Sequence, residues 1–377
     1  MNPTRENTTP DASLLIYMTL MVLLITLIPF RFHVPAKVEF IWSTSAKNLI
    51  SNILLFIPIG FLFRHSGKKQ SRFYWKAIGY GVILSLAIEI TQGFIIGRTT
   101  SGYDVIANGS GAFLGAGFFD YAKGKIKEQE PYRVSSLQIP LVNLVLLLTP
   151  LIWVTCLSSG NDPLRLYLLL LPLGIFGSGL LSSIFANRLA YTGISPNRFI
   201  SATTVWFVLS TLPAMVRYPR DVAIIWLIMV VVILVHALAQ KEVLSRNRRF
   251  EVATLKKLLP VYGVYLLLLL LLPATMGVGK LPAQTRLMTT IRLVEFIAAF
   301  AVLGYVTAEI RGRKVESHAA VLILTVCISA GLLVIIGLIK GSIPITPERL
   351  YHILPFILAS LTGGIIYRFQ LTAFKRA

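Results

Sequence analysis

The chain has 377 residues and a formal net charge of +20, yet only 14% of its residues are charged, 55% are hydrophobic and mean hydropathy is +0.74. Soluble domains carry about 25% charged residues, so composition excludes that class. The basic excess sits in short loops between apolar runs, with no aromatic-interleaved basic domain, which excludes a nucleic-acid partner.

Apolar runs of about 17–22 residues, enough to cross ~30 Å of hydrocarbon, recur from end to end. They predict an all-α polytopic membrane protein of about twelve spans, near residues 12–30, 48–63, 76–96, 104–121, 137–158, 165–186, 199–216, 222–240, 258–276, 290–309, 319–339 and 352–369. The alternating ten-residue pattern of a membrane barrel is absent, and in hydrocarbon the helix is the remaining way to satisfy a backbone. The run from Ala12 to Phe30 is too long for a signal-peptide core and no small-residue cleavage site follows, so it is expected to stay as the first span. About two thirds of the Lys and Arg residues fall at alternate loops, which places both termini in the cytoplasm.

The charged loop Tyr121 to Arg133 is the natural internal boundary. It divides a four-helix region, 12–122, from an eight-helix region, 137–377, with few ionisable groups. No self-similarity indicates an inverted repeat. The segment Lys241 to Lys257 reads as a solvated cytoplasmic loop or a short helix on anionic lipid. Cys156 and Cys327 lie in apolar runs and the five histidines lack ligand spacing, so neither a metal nor another cofactor is expected. In the second region Arg292 and Glu295 lie three apart and are expected to pair, while Asn143 and His236 read as satisfied polar residues.

Helical spacing gathers polar residues onto single faces in the first region. Asn48, Asn52, Phe56 and Gly60 are four apart; Ser85, Glu89 and Gln92 follow at four and three; Asp104, Asn108, Gly111 and Gly115 at four, three and four. Arg98 lies in the connection before Asp104. With the positive-inside orientation, all these polar ends reach one level in the outer half of the bilayer. At 1.5 Å per residue, Glu89 lies roughly 10 Å below the outer end of its helix and Asn108 about 6 Å below its own.

Such a cluster suits a phosphate-bearing, lipid-linked ligand. Arg98 would hold an anion, and Asn48, Asn52, Ser85, Gln92 and Asn108 would exchange hydrogen bonds. Glu89 and Asp104 are the candidate proton donors or acceptors should the site be catalytic. The same residues also suit a structural role: interhelix hydrogen bonds from Glu89, Gln92, Asn52 and Asn108, and a helix cap from Asp104 with Arg98 as its partner. Gly109, Gly111, Gly115 and Gly117 read as a packing face, and Pro58 as a kink that frees the Leu54 carbonyl.

In these residues the sequence resembles the VanZ-like family of bacterial membrane proteins. The resemblance rests on Asn52, Phe56, Pro58 and Gly60, then Ser85, Glu89 and Gln92, then Arg98, and finally Asp104, Asn108, Gly111 and Gly115. It covers roughly residues 12–122 and does not extend to the later helices. It implies a multi-pass protein of the bacterial cytoplasmic membrane with a cell-envelope role, in the setting of resistance to the glycopeptide teicoplanin. Its expected partners are membrane lipids and a lipid-linked envelope precursor. A membrane-embedded enzyme acting on a lipid-linked phosphate or glycosyl ester, and a transporter, are the alternative readings.

Overall fold

The computed structural model describes residues 12–28, 30–35, 40–66, 73–125, 140–160, 162–189, 194–215, 218–239, 250–272, 282–312, 318–339 and 347–376. A helix occupies each of the twelve positions expected from hydropathy. In chain order they are α1 (Ala12–Leu27), α2 (Ala46–Ser66), α3 (Phe73–Gln92), α4 (Gly102–Lys125), α5 (Pro140–Ser158), α6 (Pro163–Ile184), α7 (Pro196–Met215), α8 (Pro219–Ala239), α9 (Phe250–Leu271), α10 (Pro282–Gly312), α11 (His318–Ile339) and α12 (Pro347–Arg376). Proline opens α5, α6, α7, α8, α10 and α12, the position where its missing N–H costs nothing. Among the described residues, six helices qualify by length and apolarity to cross a membrane: α2, α5, α6 continued to Asn187, α9, and the windows Thr289–Arg311 and Leu354–Leu371. The apolar α1 is shorter, at 16 residues.

Two differences from the sequence reading have local causes. α1 ends at Leu27 rather than near Phe30, as expected of a helix approaching Pro29, and Phe30 lies in the left-handed region at φ 57°. The expected loop Lys241 to Lys257 is partly helical, because α9 already starts at Phe250; residues 241–249 lie outside the described residues, as do 126–133 of the expected boundary loop.

The chain forms two compact units, one of Met1–Lys125 with Arg368–Ala377 and one of Ile126–Tyr367. The first is held by an unusually close approach of α2 and α4. A Cβ placed on Gly60 would collide with the Ala112 backbone, one on Gly111 with the Ile53 carbonyl, and one on Gly115 with the Ile57 carbonyl. Glycines thus let two backbones touch where lipid supplies no hydrophobic drive for association. Phe56 is fully buried along this seam, and at its far end Arg64 makes a two-pronged bond to Asp120, with Nε on Oδ2 at 3.1 Å and Nη2 on Oδ1 at 3.1 Å. α3 joins α4 through Gly81, whose Cβ position is filled by the Ala112 methyl. Ile83, Ile90, Ile106 and Phe118 project outward, a surface suited to hydrocarbon.

At the opposite end from Arg64, the connections of this unit are knitted together. β1 (Phe40–Ile41) pairs in parallel with β2 (Thr100–Ser101), with Phe40 opposite Thr100 and Ile41 opposite Ser101. Phe32 bridges Ile95, and the Trp42 ring covers Gly102 and meets Tyr103 edge-on at 5.6 Å.

The second unit repeats the small-residue device. Gly304 and Gly363 let α10 and α12 meet, each facing a carbonyl of the other helix (Ser360 and Ala301), and Ser360 Oγ donates to the Phe300 carbonyl at 3.0 Å. Two tyrosines of this core tie their hydroxyls to backbone: Tyr262 to the Ala299 carbonyl at 2.6 Å and Tyr305 to that of Pro140 at 3.1 Å.

Replacing Gly111 or Gly115 by Val will destabilise the protein by about 2 kcal/mol or more, since the backbone of α2 stands where the new atoms must go. Gly79, with open space around its Cβ position, will accept Ala with little change or a gain of up to ~1 kcal/mol. Thermal melts of the purified variants in detergent measure both.

Candidate functional site

The polar residues singled out from spacing divide into a buried layer and an open rim. The buried layer holds Ser85, Glu89 and Gln92 of α3 and Asn108 of α4. Asn108 Nδ2 donates to Ser85 Oγ at 2.8 Å, and the Asn108 Oδ1 atom is buried with no partner among the described residues. One turn along α3, Glu89 Oε2 accepts the backbone N–H of Ser101 at 2.7 Å. This N–H precedes α4, so the carboxylate also lies by the positive end of a helix. Gln92 reaches the other way, and its Nε2 donates to the Thr26 carbonyl in the last turn of α1 at 2.9 Å. Carbonyls in a helix's last turn lack intrahelical partners, so Gln92 caps α1 from the side.

The rim is built from connections and helix starts. Asp104, in the first turn of α4 and half-buried, accepts from Thr44 Oγ1 at 3.2 Å, and the Asn52 side chain lies beside it. It is therefore not a helix cap: its carboxylate holds the segment before α2 against α4. Arg98 is exposed and places Nη2 on the Ile28 carbonyl at 3.0 Å. The turn that presents it depends on Gly97 at φ 79°, a backbone conformation that side chains disfavour. The pairing of Arg98 with Asp104 expected under the structural reading gives way to these separate partners. Asn48 stands exposed in the first turn of α2, where the Ser45 hydroxyl accepts its backbone N–H at 3.1 Å. Glu89 lies within electrostatic range of both Arg98 and Asp104.

The structure thus brings Asn52, Ser85, Glu89, Gln92, Arg98, Asp104 and Asn108 to one end of one unit, with Asn48 at its edge. Ser101 and Thr44 complete the set. The sequence did carry a signal for both, a hydroxyl residue just ahead of a helix start. The partner atoms Thr26 O and Ile28 O carried none, because any residue supplies a carbonyl. Among the described residues, no group of three or more His, Cys, Asp and Glu is placed to hold a metal.

In the second unit the sequence expectations fail in two places. Glu295 pairs with Arg165, 130 residues earlier, at 2.8 Å rather than with Arg292; Arg292 instead donates to the Leu272 carbonyl at 2.7 Å. Helical spacing let Arg292 and Glu295 share a face, yet the guanidinium that could be fully buried with the carboxylate came from another helix. Asn143 is not satisfied either: it is buried, and both its amide atoms lack partners among the described residues. His236 lies in α8.

Apolar helices with buried polar contacts between them define a helical membrane protein whose first unit ends in a polar cluster. Residues 4–123 match the model of the family described as VanZ/LLP1, and this segment is a VanZ-like domain. No curated protein and no solved structure matches the chain.

The Ser85–Asn108 bond will show as energetic coupling. Ser85→Ala leaves a buried amide donor unpaired, and a double-mutant cycle with Asn108→Ala will give a coupling of about 0.5–2 kcal/mol. Unfolding in detergent–denaturant mixtures reads it out, and additive losses would contradict the bond.

Proposed function

We propose that the protein is a twelve-span component of the bacterial cytoplasmic membrane, with both termini in the cytoplasm. In this reading its VanZ-like domain binds an amphipathic envelope ligand from the outer leaflet. The observation that carries this is the open rim. Arg98 is exposed on a turn fixed by Gly97 and by the Ile28 carbonyl, beside the half-buried Asp104 and Asn52.

A guanidinium held by one of its five donors keeps others for a phosphate or carboxylate. Asp104 and Asn52 supply acceptors and donors for sugar hydroxyls or an amine a short distance away. A ligand that joins an anionic group to hydroxyls or an amine suits a site with one guanidinium and two carboxylates better than a bare anion does. Lipid-linked envelope precursors have that chemistry, and so do lipid-tailed glycopeptides, which ties the reading to glycopeptide resistance.

Recognition accounts for this geometry better than acid–base catalysis. Glu89 is committed to the Ser101 N–H, and Asp104 to the Thr44 hydroxyl, so both carboxylates have structural partners that proton transfer would have to break. Transport is disfavoured because the cluster lies at one end of its helices rather than near their middle.

Mass spectrometry of lipids that co-purify with the protein tests the assignment. A phosphate-bearing envelope lipid should accompany the wild type, and Arg98→Gln should lower its occupancy about tenfold or more while the variant stays folded, as the loss of a charged hydrogen bond requires. Retention at the wild-type level would sink the reading. Orientation is tested separately. A cysteine at Thr99, in a Cys327→Ser background, should react with a membrane-impermeant maleimide added outside intact cells or spheroplasts. Labelling only after lysis would reverse the topology.

A further inference from the structure

A second charged constellation lies in the other unit, where the start of α6 meets α5 and α10. Arg165 is buried in the first turn of α6. Its Nη2 contacts Glu295 Oε2 at 2.8 Å, and its Nη1 contacts Ser158 Oγ at 2.8 Å and Ser159 Oγ at 3.2 Å. Asp162 caps the same helix, and its Oδ1 accepts the Arg165 backbone N–H at 3.0 Å. Arg165 is therefore fixed by four groups, two hydroxyls and two carboxylates. Glu295 is fixed by only one of its oxygens, and Oε1 is buried with no partner among the described residues.

Arg292, one turn away on the same face of α10, is half-buried and within electrostatic range of both Arg165 and Glu295. It rests on the Phe296 ring at 5.8 Å and donates Nη2 to the neutral Leu272 carbonyl, while its Nε is buried without a partner. Among the described residues it has no ion-pair partner. A polar atom shielded from water inside an apolar bundle needs a partner, and a cationic one prefers an anion.

We infer that this end of the second unit is a binding site for a phosphate group that carries a neighbouring hydroxyl. Arg292 contacts the phosphate through its unused donors. The free Glu295 oxygen, three residues on, accepts the hydroxyl. Arg165 touches no ligand: it is a positioning residue that holds Glu295 through Oε2 and leaves Oε1 unused. The chemistry is that of a glycerol phosphate, either as the headgroup of a lipid or as a soluble ester. It is independent of the rim around Arg98, which uses different residues in a different unit.

Full-length protein in neutral detergent, titrated with dioleoylphosphatidylglycerol and, in a parallel arm, with soluble glycerol phosphate, tests the site by native mass spectrometry and thermal shift. Binding of either probe above the level seen with phosphatidylcholine is expected. Response in the first arm alone identifies a lipid headgroup, and response in the second alone a soluble ester. Arg292→Gln should weaken that binding at least tenfold, whereas Arg98→Gln should leave it unchanged. Should Arg292→Gln fail to fold, Arg292→Lys carries the test: it keeps the charge, loses the planar fork and should bind about threefold more weakly. Unchanged affinity in whichever Arg292 variant folds, or no binding of either probe above the neutral lipid, overturns the site.

Discussion

A polar atom that enters the apolar bundle is costly unless it finds a partner within the protein, and this cost shapes both units. Bilayer hydrocarbon offers no water, and an unsatisfied group there costs several kcal/mol. Glu89 meets the condition by accepting the N–H at the start of α4, Gln92 by reaching the carbonyls at the end of α1, and Asn108 by donating to Ser85. One interhelix bond per polar residue fixes the register of three helices at once. The glycine seam of α2 and α4 then brings Asn52 beside the Asp104 carboxylate.

Burial divides these polar residues into two sets. The buried residues Ser85, Glu89, Gln92 and Asn108 act first as interhelix partners. The groups nearer the helix ends, Arg98, Asp104 and Asn52, keep one side open. A rim positioned by a rigid, hydrogen-bonded layer beneath it is better suited to recognition than loops alone would be, because each side chain is held from below. The parallel pairing of Phe40–Ile41 with Thr100–Ser101 adds a second constraint from above.

The second unit uses the same economy with different groups. Its buried pair, Arg165 with Glu295, joins residues 130 apart in sequence, and Tyr262 and Tyr305 tie hydroxyls to carbonyls across helices. Two hydroxyls, a cap carboxylate and an ion pair gather at this one helix start. Such buried ionic groups are expensive to retain, and in membrane proteins they concentrate where a ligand, ion or proton is handled.

By itself the sequence determined the helical membrane class, the position of twelve helices and the faces of α2, α3 and α4, because these follow from local hydropathy, from periodicity and from the cost of exposed backbone in lipid. It also exposed the VanZ-like motif, whose glycines and amides keep fixed spacing. Only the tertiary structure decided the partners: that Glu89 serves Ser101, that Asp104 serves Thr44 rather than Arg98, and that Glu295 turns to Arg165 and leaves Arg292 without an ion-pair partner among the described residues. Spacing along a helix says which residues share a face. It does not say which neighbour arrives there, since that depends on how closely two backbones approach and on carbonyls and N–H groups that every residue carries alike.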